Sequence, residues 1–187
     1  MSAARREAKA NLIILGFRVD TRARYGQAKR DYQRAKGLPV TGIADPLTRR
    51  SLRNAVTRNR EGRPDLSAHY SFREFVCKCG GRYATCRRIW VKRRLIVRLE
   101  KLRAAEGRQR IISGCRCTNY NASIGGASGS QHRYGRAADL EPLITARRMR
   151  DLRLFSGIGI VAATGKVAHV DVRTTASPAN PITWLYR

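Results

Sequence analysis

Acidic residues are scarce in this 187-residue chain: 13 Asp plus Glu stand against 39 Lys plus Arg, a formal net charge of +26 at pH 7. So one-sided a surface disfavours cationic partners and points to a polyanion, whether nucleic acid, an anionic cell wall or acidic headgroups. The excess is not a tail, because fifteen basic and four acidic residues lie at or before Arg60 and twenty-four and nine after it. Long hydrophobic runs are also missing. The longest, Leu12 to Leu15 and the Gly-containing stretch 157–163, fall far short of the ~18 residues needed to cross hydrocarbon, so no membrane span is expected. The four-residue apolar block after the basic segment Met1 to Ala10 carries no cleavage pattern, and no secretory signal is visible. With 42% hydrophobic residues, default disorder is excluded and one ordinary core with a small satellite domain is expected.

Five cysteines fall as Cys77-x-Cys79, Cys86 and Cys115-x-Cys117, an odd count that cannot pair completely. The cluster admits disulfides in an oxidising compartment or a thiolate metal site in a reducing one. Zinc ribbons usually separate paired cysteines by two residues or more, whereas one separates them here, so disulfides or free buried thiols are the favoured expectation.

The first sixty residues read as a helical unit. A short apolar segment, Leu12 to Phe17, is interrupted by Gly16. Tyr25, Ala28, Tyr32 and Ala35 then recur at helical spacing over Arg22 to Lys36, with Gly37 as the stop. Leu38 to Ile43 turns through Pro39 and Gly42, and Asp45-Pro46 supplies an N-cap and first-turn proline to a helix bearing Leu47, Leu52 and Val56. Leu15-Gly16-Phe17, Gln33 to Leu38 and Val40 to Thr48 together resemble a peptidoglycan-binding domain, a three-helix module, over about residues 7 to 56. The competing reading is a basic helix-turn-helix laid along DNA phosphates.

Thr57 to Leu66 lacks periodicity and reads as a linker. Beyond it, Val91, Leu95, Leu99 and Leu102 predict a helix over Ile89 to Ala105 closed by Gly107, Ile111-Ile112 a short strand, and Asn119 to Gln131 an irregular loop rich in Gly, Ser and Asn. His132 and Asp139 flank Gly135 and Ala137-Ala138, a pattern for a turn into a buried strand, with His132 on the entering arm and Asp139 on the strand converging across the bend. They are potential zinc ligands, but a catalytic site needs a third. Of the remaining histidines, His69 precedes the second core. His169 lies in an alternating strand, 167–173, where Val170 and Val172 face the core and His169, Asp171 and Arg173 the opposite side. His169 is the expected third ligand.

Ser113 to Cys117, Asn121, Gly125-Gly126-Ala127, Ser130-Gln131-His132, Gly135, Ala137-Ala138-Asp139 and His169-Val170-Asp171 stand in the order and register of the zinc D-Ala-D-Ala carboxypeptidase family. With Phe72 to Gly80 and Leu99 to Arg103, the resemblance spans roughly residues 69 to 173. It implies an α+β fold with a central antiparallel sheet flanked by helices, and one catalytic zinc ion held by His132, Asp139 and His169. It also implies that Arg116 binds a substrate carboxylate or the developing oxyanion, while Ser130 and Gln131 shape the substrate-binding loop. Relatives often place a carboxylate or histidine shortly before the last ligand. Here Lys166, Val167 and Ala168 stand there, leaving Asp171 as the expected base, with Glu141 behind it; either could instead orient a ligand histidine.

The organisation expected is therefore a peptidoglycan-binding-like module at 1–58, a linker at 59–68 and a zinc DD-peptidase-like domain at 69–187. The expected function is a zinc metallopeptidase, a D-Ala-D-Ala carboxypeptidase or stem-peptide endopeptidase, working as a monomer on peptidoglycan. Anionic wall polymers would be further partners, and nucleic acid only a non-specific one. With no signal peptide visible, a phage-encoded endolysin released from the host cytoplasm at lysis is expected. The alternatives are a nucleic-acid-binding protein with a cysteine metal site and a catalytically inactive wall-binding relative.

Overall fold

The computed structural model describes residues 2–186. Three helices come first. Helix α1, Ala3–Ile14, buries Ala8, Asn11 and Leu12 and ends at Gly16, whose φ of +89° lets the Phe17 amide turn back to the Leu12 carbonyl at 2.9 Å. It starts well before the apolar Leu12–Phe17 segment, because residues 3–10 are strong helix formers and Ala8 continues the buried face by one turn. Helix α2, Arg22–Lys36, is capped by Thr21 and stopped by Gly37 in the left-handed conformation. Helix α3, Pro46–Arg60, starts where the Asp45 carboxylate accepts from the Thr48 amide at 2.7 Å, and it runs past Thr57 into the stretch read as linker.

Gln33 holds α2 to the entry of α3. Fully buried, it donates to Thr41 Oγ1, the Ile43 carbonyl and Thr48 Oγ1 at 2.8–3.1 Å and accepts from the Gly42 amide at 2.8 Å. A 3-10 turn, Phe72–Phe75, then carries a reciprocal Ser71/Glu74 cap. Helix α4, Arg93–Glu106, buries Leu95, Ile96, Leu99 and Leu102, as the periodicity predicts, but begins later than Ile89. Residues 89–92 are irregular instead. There Trp90 Nε1 donates to the Arg133 carbonyl at 2.9 Å and the Lys92 amide to the Gly135 carbonyl at 2.8 Å, bonds that a helix would forgo.

Strands β1 (Arg110–Ser113), β2 (Ala137–Thr145), β3 (Gly157–Val161), β4 (Lys166–Asp171) and β5 (Ile182–Tyr186) form one sheet in the order β1-β2-β4-β3-β5. Short helices α5 (Thr118–Ser123) and α6 (Ala146–Asp151) lie in the connections, and α5 overlaps the start of the stretch 119–131 expected to be irregular. The α+β class is as expected, but the sheet is mixed: β3 and β5 are parallel and the other pairs antiparallel. Both sides of β4 are already taken by β2 and β3, and the final strand steps over β3 to the edge beside it. Ala138, Leu140, Ile158, Ile160 and Val170 are buried in a core contiguous with the N-terminal helices.

Candidate active site

Strand register lines up one row of residues across the sheet. Ser113 on β1 pairs with Asp139 on β2, Asp139 with His169 on β4, His169 with Gly159 on β3, and Gly159 with Trp184 on β5. Pairs directly opposite share a face, so residues far apart in sequence become neighbours. His132 joins them from a 3-10 turn, Gln131–Tyr134, closed by Gly135 at φ +65°. A Cβ at Gly135 would overlap the Trp90 carbonyl oxygen, so both the handedness and the tightness of this bend require glycine.

His132 Nε2, His169 Nδ1 and Asp139 Oδ1 lie 3.0 Å from one another in all three pairings. Each histidine's other nitrogen is engaged: His132 Nδ1 is 2.6 Å from the Gly114 carbonyl and His169 Nε2 is 3.2 Å from Asp171 Oδ2. The Gly114 carbonyl can only accept, so His132 carries its proton on Nδ1 and turns the Nε2 lone pair inward. Asp171, also an acceptor, selects the tautomer of His169 that turns Nδ1 inward. Two lone pairs and a carboxylate oxygen thus face one point, a donor set that suits a zinc-class cation and is fixed by partners behind the ligands.

The surroundings follow the same logic. Burial pushes the His132 pKa down. For His169 burial acts in that direction too, but the negative charges of Asp139 and Asp171 on either side raise it above its ordinary value. Burial would raise Asp139, yet electrostatic attraction to the two histidines beside it holds it below the usual carboxylate range. Arg116 pairs through Nη2 with Asp139 Oδ2 and donates from Nε to Ser113 Oγ at 2.9 Å. Asp171 is fully buried, and Arg173 donates to it from Nε and Nη2 at 2.5–3.2 Å. Burial opposes its ionisation, but His169 and Arg173 hold it down to about 2.

Beside this cluster lies a cleft of about 350 Å³, lined by Arg116, the 125–127 loop, Ser130, Gln131, His132, His169, Trp184 and Tyr186. Asn121, on α5, pins the glycine-rich loop by donating to the Gly126 and Ala127 carbonyls at 2.8 and 2.9 Å. The structure thus brings together His132, Asp139, His169, Arg116, Ser130 and Gln131. It sets Asp171 behind His169, while Glu141 is exposed and paired with Arg110, and His69 is paired with Glu100 at 2.6 Å. Sequence reasoning missed Trp184 and Tyr186. Trp184 packs edge-on to His169 at 5.1 Å between ring centroids. Their one signal was alternation in Thr-Trp-Leu-Tyr, which cannot say beside which strand the segment pairs. Gly157 and Gly159 make space for the site, since a Cβ at the first would overlap the Asp171 carboxylate and at the second the Tyr186 ring.

Residues 2–52 match the family described as a putative peptidoglycan binding domain. No curated protein matches the chain significantly. Residues 68–171, more than half of the chain, match the family described as Peptidase M15. On that match, and with the motifs that first suggested it now drawn together around one cleft, the chain belongs to the peptidase M15 family, that of the zinc D-Ala-D-Ala carboxypeptidases.

Proposed function

We propose that this peptidase acts on peptidoglycan as a zinc-dependent hydrolase of stem peptides, brought to the wall by its N-terminal module. The observation that carries the reading is the triangle of His132 Nε2, Asp139 Oδ1 and His169 Nδ1 at the wall of a cleft. A zinc ion, when bound there, supplies Lewis acidity that activates water at neutral pH and polarises the scissile carbonyl. The chain's own residues do the rest. Arg116 holds the outer oxygen of Asp139, so that Oδ1 turns to the histidines, and places positive charge where the substrate's carboxylate or the developing oxyanion would lie. Ser130 and Gln131 bound the cleft on the loop side, and Trp184 and Tyr186 form an aromatic wall that limits water. Asp171, weighed above as the base, acts in this proposal as a positioning residue, because its oxygens are committed to His169 and Arg173.

The substrate bond is either the terminal D-Ala linkage or an internal stem-peptide bond, and the wall-lysing role is that of an endolysin. Digestion of defined muropeptides followed by mass spectrometry separates the two bonds. Activity is expected to vanish with a chelator, return with zinc, and be absent in a folded His132→Ala variant. Turnover that survives chelation and the substitution alike would overturn the proposal. A second reading, a wall-binding relative without turnover, is favoured by the sequestration of Asp171. Zinc bound at this site with no product from any muropeptide would establish it.

A further inference from the structure

Four cysteines outside the cleft converge although they come from three separated stretches. Cys77 and Cys79 follow the Phe72–Phe75 turn, and the chain then bends through Gly80 and Gly81, at φ +64° and +93°, towards Cys86. Cys117 arrives from the other side as the residue preceding α5. Their sulfurs all lie within 4.8 Å of one another, Cys77 to Cys79 at 3.5 Å and Cys79 to Cys117 at 3.8 Å. All five cysteines are free thiols here, four of them buried, one of the two states that the sequence favoured. Cys115 is buried apart, its sulfur accepting from the Trp90 amide at 3.3 Å.

The spacing decides between chemistries. A disulfide needs sulfurs ~2.05 Å apart. Four thiolates at ~2.3 Å from a tetrahedral zinc ion stand about 3.8 Å from each other, within the range seen here. Backbone amides of Cys117 and Arg88 donate to Cys77 Sγ and Cys86 Sγ, both at 3.3 Å, and such donors stabilise charge on sulfur. Four thiolates around a dication would leave net negative charge. Arg18, from the N-terminal module, lies against this loop, donating to the carbonyls of Gly81, Tyr83 and Cys86 at 3.1–3.2 Å. The one-residue spacings, which argued against a ribbon, do not matter once the ligands are supplied by a loop and a distant segment.

We propose that Cys77, Cys79, Cys86 and Cys117 bind a second, structural zinc ion, separate from the histidine centre. This ion fixes the loop that Arg18 grips and, through Cys117, the segment carrying Arg116. The proposal does not depend on the peptidase reading. The test uses the full chain, purified with reductant and loaded with cobalt(II). An intense near-ultraviolet thiolate-to-cobalt charge-transfer band is expected in the wild type and, undiminished, in a His132→Ala/His169→Ala variant. It should be lost in Cys79→Ser and Cys86→Ser, with bound metal falling by one ion per chain. If the cysteine variants do not fold, the wild type and the histidine variant, which keep all four thiols, still decide. No such band in either, or an intact mass without reductant showing two disulfides, overturns the proposal.

Discussion

At the scale of single residues, the site depends on side chains that never reach the cleft. Asp171 lies on the far side of His169, and Gly157 leaves room for its carboxylate. Its pKa is depressed from 3.8 to about 2, so the folded protein gains stability from this carboxylate above pH 3.8 and loses it as pH falls through about 2. The two-state relation makes the full effect on the order of 2 kcal/mol. Thermal melts of the metal-free protein between pH 5 and pH 2 should show an acid limb in the wild type that is shallower by about that amount in Asp171→Asn. Equal limbs would remove the ionised carboxylate from the account. The same variant should bind zinc at the histidine centre about 10–100-fold more weakly while Arg116 and the cleft are untouched, as expected for a group that orients a ligand.

Elements differ in how much of themselves they reveal in sequence. Helix α2 was legible because its apolar spacing, Thr21 and Gly37 are local signals, and the Asp45-Pro46 start of α3 was legible for the same reason. His132 and Asp139 were legible as a pair because Gly135 between them favours a bend over a helix, and the two converge across it. The Trp184–Tyr186 wall was not, since its position depends on β5 crossing to the edge beside β3 rather than the one beside β1, a choice no local signal marks. The thiol cluster was half legible: the sequence offers a thiolate site as one alternative, but choosing it needs Cys117 beside a loop 38 residues away. Gln33 is an intermediate case: the sequence marks its motif, but only the fold shows that one amide satisfies the whole turn from Thr41 to Thr48. Gln33→Leu keeps the volume and strands the Gly42 amide and the Ile43 carbonyl. It should cost about 2 kcal/mol in urea unfolding with the m-value unchanged. A cost within ~0.5 kcal/mol, the range of ordinary surface changes, would show that water reaches the turn.

Across the whole molecule, the N-terminal helices and the peptidase region share one core. Phe17 packs on Phe72 and Tyr32 on Phe72, with ring centroids 5.2 and 5.6 Å apart, and Lys36 Nζ donates to the Asp65 and Leu66 carbonyls at 3.1 and 2.9 Å. Unfolding should therefore be a single transition seen alike by far- and near-ultraviolet circular dichroism; two resolved transitions would mean that the module only rests on the peptidase. Over this unit the charge of +26 is spread through both halves, and a concavity of about 480 Å³ on the module is lined by Arg5, Arg22, Lys29, Arg30 and Arg49 around Tyr25. Such a field acts on polymers over about a Debye length, ~8 Å at physiological salt, whereas chemistry in the cleft acts at contact distance. The two should separate experimentally. Sedimentation of the protein with purified wall should weaken by more than about tenfold between 50 mM and 200 mM salt, as counterion release requires for several neutralised phosphates. Turnover of a soluble muropeptide over the same range should change by less than about threefold, because a small substrate releases few ions. If both fall together, the charge serves the catalytic step; if neither falls, the module binds the wall by neutral contacts and the excess arginine has another partner.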